Sequence, residues 1–81
     1  MRLLEFKMER KGLLTEGQEV HVTESALPTS YYYTITPAIA MSKNYPAYER
    51  LKSETGIVQE VKETSRGFYT VVAFDEEEPG S

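Results

Sequence analysis

The chain has 81 residues, a formal net charge of −4 and no cysteine. A chain this short builds one core, worth only about 3–5 kcal/mol, and without cysteine it forms neither a disulfide nor a thiolate metal site. Nine Lys and Arg balance nine Glu before residue 75, so the excess charge lies in Asp75, Glu76, Glu77 and Glu78 and the body is formally neutral.

The longest apolar runs, Leu3-Leu4 and Val71-Val72-Ala73-Phe74, are far shorter than the roughly 20 residues that span a bilayer. Glu5, Lys7, Glu9, Arg10 and Lys11 interrupt any secretory apolar stretch near the amino terminus. These features, with the absence of cysteine, predict a soluble cytoplasmic protein without membrane association.

From Arg2 to Met8, Leu4, Phe6 and Met8 alternate with Leu3, Glu5 and Lys7, the period of a strand with one buried face; a poor helical period competes. Gly12 and Gly17 bracket Leu13–Glu16, and a turn at Gly17-Gln18 feeds a strand over Glu19–Thr23 with Val20 and Val22 inward and His21 and Thr23 outward. Ser25–Ser30 has turn-type residues and no hydrophobic period, so it reads as a loop. Tyr31–Thr36 is almost wholly aromatic and β-branched, which suits a third strand.

Thr36-Pro37 fits the start of a short helix through Met41, with Thr as N-cap and Pro in the first position. The alternative is a strand continuing past Pro37 along a sheet edge. Pro46–Lys52 suits one or two helical turns ended by Ser53–Gly56. Gly56–Glu63, a turn at Thr64–Gly67 and Phe68–Asp75 then make a β-hairpin, whose second strand is apolar on both faces and therefore central. Residues 1–75 form the single β-rich domain, and 76–81 read as an acidic, solvated tail.

The hairpin resembles that of SH3-like small barrels of the KOW and Tudor type. The shared pattern is Gly56, Val58 and Val61, the Ser65-Arg66-Gly67 turn, and Thr70, Val72, Phe74 and Asp75, with Thr70 where an aromatic is usual. Glu16–Val22 is similar to the opening strand of such barrels. The resemblance implies a mainly β, half-open barrel of about five strands, with the positions between Val22 and Thr55 as an insertion carrying short helical turns. It also implies a range of partners, from proline-rich peptides and methylated side chains to RNA or ribosomal protein, so the fold alone assigns no function.

No constellation for chemistry stands out. His21 is the only imidazole; it sits mid-strand with no serine elbow to activate, and an exposed strand residue is the ordinary reading. Glu5 with Glu9 and Glu60 with Glu63 are not spaced by any catalytic motif, no metal-ligand spacing exists, and Gly12, Gly17, Gly56 and Gly67 read as isolated turn residues rather than a phosphate cradle. The chain is expected to be no enzyme and to carry no cofactor.

Tyrosine is the anomaly, at six residues with Tyr31, Tyr32 and Tyr33 consecutive. Alternate strand residues face opposite ways, so these three cannot share one core. Tyr is also common at interaction surfaces, while rings shielding a small barrel's rim is the bland reading. The expected function is a protein- or peptide-binding module working through Tyr31, Tyr33, Tyr45, Tyr48 and Tyr69. The alternatives are weak binding of RNA or single-stranded DNA, aided by Arg2, Arg10 and Lys11 but opposed by the acidic charge, and self-association of a monomer into a weak homodimer through an open edge such as Arg2–Met8.

Overall fold

The computed structural model of the chain describes residues 1–10, 12–36 and 40–79. The strands are β1 (Arg2–Met8), β2 (Glu19–Ala26), β3 (Tyr31–Thr36), β4 (Ala40–Ser42), β5 (Thr55–Thr64) and β6 (Gly67–Phe74), with a 3₁₀ turn at Ala47–Glu49. All pair antiparallel, and the sheet closes in the order β1-β4-β3-β2-β5-β6. The barrel is thus closed with six strands rather than half-open with about five. Among the described residues no helix is long and apolar enough to cross a membrane.

The segment expected to be an insertion supplies two of the staves. β3 lies between β2 and β4, and β4 bridges β3 to β1 through Ala40 opposite Ile35 and Met8. Ala40 and Met41 are therefore strand and not helix; Pro37, Ala38 and Ile39, the rest of that expected helix, lie outside the described residues. The helical turns expected over Pro46–Lys52 reduce to the single 3₁₀ turn, because Pro46 offers no side-chain cap and Arg50 is already extended at φ −61, ψ 133. That extension sends Leu51 into the core.

Period-two alternation fills the barrel. Leu4, Phe6 and Met8 from β1, Val20 and Val22 from β2, Tyr33 and Ile35 from β3, and Val72 and Phe74 from β6 are all buried. Leu14 plugs the barrel from the loop before β2. In β5 the alternation changes phase: Val58 pairs with Val72 but Glu60 with Val71, so Gln59 is an extra, bulged residue. A bulge turns the following side chains over to the other face, which brings Gly56, Val58 and Val61 to one side and explains the three-residue spacing of the last two. The buried Thr70 hydroxyl donates to the Glu60 carbonyl at 2.9 Å, satisfying the bulge from inside. An aromatic at that position could not make this bond.

Two expectations about edges and turns are corrected. β1 is not an open edge: it pairs with β6 along Arg2–Met8 and with β4 over Phe6–Met8, and the Leu3 N–H donates to the Glu78 carboxylate at 3.0 Å. Gly56 is no turn residue but lies within β5, buried against Val72 and Phe74. Gly67 does serve the hairpin turn, with φ +135.

Candidate functional site

The five tyrosines expected to form one surface are divided by strand geometry. Tyr31, Tyr33 and Ile35 point the same way from β3, and that direction is inward. Tyr33 is 1% exposed and Tyr45 9% exposed, with their rings 6.1 Å apart in the core. Tyr33 is closed to a partner, while Tyr45 keeps an edge on a surface concavity that Tyr69 also lines. Tyr31 is half-buried under the Arg50 guanidinium, 4.6 Å from its ring centre. Tyr69 is half-buried on the outer wall between Lys7 and Lys62. Tyr48 alone stands free, at 83% exposed.

The Tyr33 hydroxyl ties the hairpin of β2 and β3 to the segment that crosses it. It donates to the Glu24 carboxylate at 2.9 Å and accepts the Leu51 N–H at 2.7 Å. Burial, with the neighbouring Glu24 charge, pushes its pKa up to about 12, although the Leu51 bond works the other way. Glu24 in turn receives Arg50 at 2.6–3.0 Å through two nitrogens, and this pairing holds its carboxyl below the ordinary range despite some desolvation. Replacing Tyr33 by Phe leaves the Leu51 N–H unsatisfied in the interior. The expected loss is about 1–3 kcal/mol, measurable by urea unfolding.

A second tie fixes the same segment from below. Arg2 shares the inward face of β1 and is 3% exposed; its guanidinium donates to the Glu49 carbonyl and to Glu76 at 3.4 Å, and lies 5.5 Å from the Tyr45 ring centre. Glu76 also accepts the Lys52 N–H at 3.0 Å, the Ser53 N–H at 2.8 Å and the Ser53 hydroxyl at 2.7 Å. Burial pushes the Glu76 carboxyl up, but these donors outweigh it and hold the group below the ordinary range. The charge pattern places Glu76 in a solvated tail; it is instead the hub of this clasp. Arg2 is likewise withdrawn from the basic cluster expected to aid nucleic-acid binding, and Lys11 lies outside the described residues.

The two ties hold residues 47–54 beside β2 and leave a cleft of about 780 Å³ between them. His21, Thr23 and Glu24 of β2 form one wall, Tyr48, Lys52 and Glu54 the other, and Tyr33 and Leu51 underlie it. His21 is exposed there, as its strand position predicts. Among the described residues no group of three His, Cys, Asp or Glu is placed to hold a metal.

Of this site the sequence reading contained Tyr48 and Tyr33, and His21 and Thr23 as outward strand residues, but neither Glu24 nor the clasp that Arg2 makes with Glu76. Arg2 had a legible signal, because the period that buries Leu4, Phe6 and Met8 includes it. The wall beyond Thr23 had none, because turn-type residues there conceal the continuing strand. No family model, no curated protein and no solved structure matches this chain.

Proposed function

We propose that the chain is a non-enzymatic binding module, a small barrel of the SH3-like kind, that takes a segment of a protein partner in the cleft at Tyr48. The observation that carries this reading is the Tyr48 ring, 83% exposed at the rim of a concave surface. An amphipathic ring with little conformational entropy to lose is a frequent anchor in protein recognition. Its mounting supports the same reading: Arg2 holds the Glu49 carbonyl and Glu76 the Lys52 and Ser53 N–H groups on either side. A wall fixed in advance loses less entropy on binding. The absence of cysteine suits a reducing compartment such as the cytoplasm.

Selection of a random twelve-residue peptide library on the immobilised domain tests the proposal. Peptides should be enriched whose affinity falls about tenfold or more in Tyr48→Ala, with the melting temperature unchanged because the ring touches no core. Failure to enrich any peptide, or enrichment indifferent to Tyr48, contradicts it.

A further inference from the structure

Within that reading, on which this inference rests, the structure also specifies how the partner is held. β2 pairs with β3 over His21–Ala26 but with β5 only over Glu19–His21, and the last bond on the β5 side runs from the Val22 N–H to the Glu54 carbonyl at 2.8 Å. In a strand, N–H and C=O of one residue point to the same side and successive residues alternate. Val22 therefore fixes the parity: Val22, Glu24 and Ala26 turn their main-chain groups away from β3. The bonds on β3 agree, since Tyr31 exchanges both main-chain bonds with Tyr45 on the far side. Past Val22, no strand among the described residues runs beside β2 on its outer side. The Val22 C=O, Glu24 N–H and C=O, and Ala26 N–H thus lie on that outer side at a repeat of about 7 Å, Val22 and Glu24 lining the cleft and Ala26 continuing the same edge beyond it.

We infer that the occupant of the cleft is an extended peptide that adds to β2 along Val22–Ala26 as a further strand. Main-chain groups alternating at this repeat are matched by another polypeptide main chain. The charges favour a foreign peptide over a second copy. Two β2 edges pairing about a twofold axis centred on Glu24 would set each Glu24–Arg50 pair beside an identical one, with like charge facing like and no complementary charge between the copies. An inward-pointing charge on an edge is also a device against self-pairing. With Glu24 neutralised by Arg50, and Lys52 and Glu54 on the opposite wall, the cleft carries no net charge. The fitting peptide is accordingly uncharged at its centre.

The test uses the peptides selected above on the full chain. Methylating peptide nitrogens one at a time should weaken binding about tenfold or more at alternate residues, by loss of a main-chain bond, and leave the intervening ones unchanged. Ala26→Pro removes a donor only from the open side and should weaken the same peptides without disturbing the pairing to β3; where this variant fails to fold, the methylation scan on the wild-type chain decides. Peptides that need Tyr48 but show no alternation overturn the strand and leave the binding module standing. Absence of any Tyr48-dependent peptide removes both. Dimerisation that rises with concentration and vanishes in Ala26→Pro would give the edge to a second copy, which also overturns the inference.

Discussion

Arg2→Ala is expected to lower the stability of the barrel by about 2–3 kcal/mol, a drop in melting temperature of roughly 10 °C or more for a domain of this size. Arg2 is 3% exposed and the Glu76 side chain 13% exposed, so removing the cation leaves a part-buried carboxylate without its counter-charge, and the Glu49 carbonyl without its donor. The cost comes from what is left unpaired more than from the pair itself. Glu76 retains the Ser53 and Lys52 donors, which keeps the loss below that of a fully stranded carboxylate. Glu76→Gln should rescue part of the loss in Arg2→Ala, since a neutral amide needs no counter-charge; equal, additive losses in the single and double variants contradict the clasp. The same arrangement sets an acid limit. A carboxyl whose pKa is depressed on folding stabilises the native state above its unfolded pKa and ceases to do so as pH falls through the folded value. The melting temperature should therefore fall as pH drops below about 4, and less steeply in Glu76→Gln.

Gly56→Val is the second large effect, at about 3 kcal/mol or more. A Cβ on Gly56 would lie 2.7 Å from Val72 Cγ1, 2.8 Å from the Ala73 carbonyl oxygen and 2.8 Å from Phe74 Cε1. The backbone oxygen cannot yield without breaking the β5–β6 ladder, and the Phe74 ring, 0% exposed, has no space to move into. Gly56 has no positive φ, so the requirement is steric and not conformational. Gly56→Ala should cost less than Val yet remain destabilising, whereas Gly12→Ala, with no atom within 4 Å of its added Cβ, should show only the backbone strain of its φ of +83. Urea unfolding of the three variants checks the order.

The parts of this fold that were legible are those in which local pattern and tertiary role agree. The β5–β6 hairpin carries both its turn glycine and its alternation, and β1, the first half of β2 and β3 announce themselves by β-branched or alternating residues. β4 does not: a strand of three residues, with Ala40 as its one buried side chain, has no period to detect, and Thr36-Pro37 looks like a helix start. With β4 unseen, closure was unseen as well, and Tyr33 and Tyr45 passed for surface residues when they are the filling of a barrel. Composition marks tyrosine as unusual but cannot say which rings meet; that depends on register. The roles of Arg2 and Glu76 are hidden in the sequence for a related reason. Seventy-four residues separate them, and charge at either end of a chain is ordinarily solvated. Of the candidate site, Tyr48 is among the residues that the sequence singles out, while the open side of β2 arises because β5 begins at Thr55 and leaves the rest of β2 without a paired strand there.

Residue-resolved amide exchange across Val22–Ala26, with and without a selected peptide, tests the account most directly. In the free domain Val22, Thr23 and Ser25 should exchange slowly, bonded to Glu54 or to β3, while Glu24 and Ala26 exchange fast; bound peptide should slow those two selectively. Protection of Glu24 and Ala26 in the free, dilute domain, or fast exchange that a tightly bound peptide leaves unchanged, would contradict it.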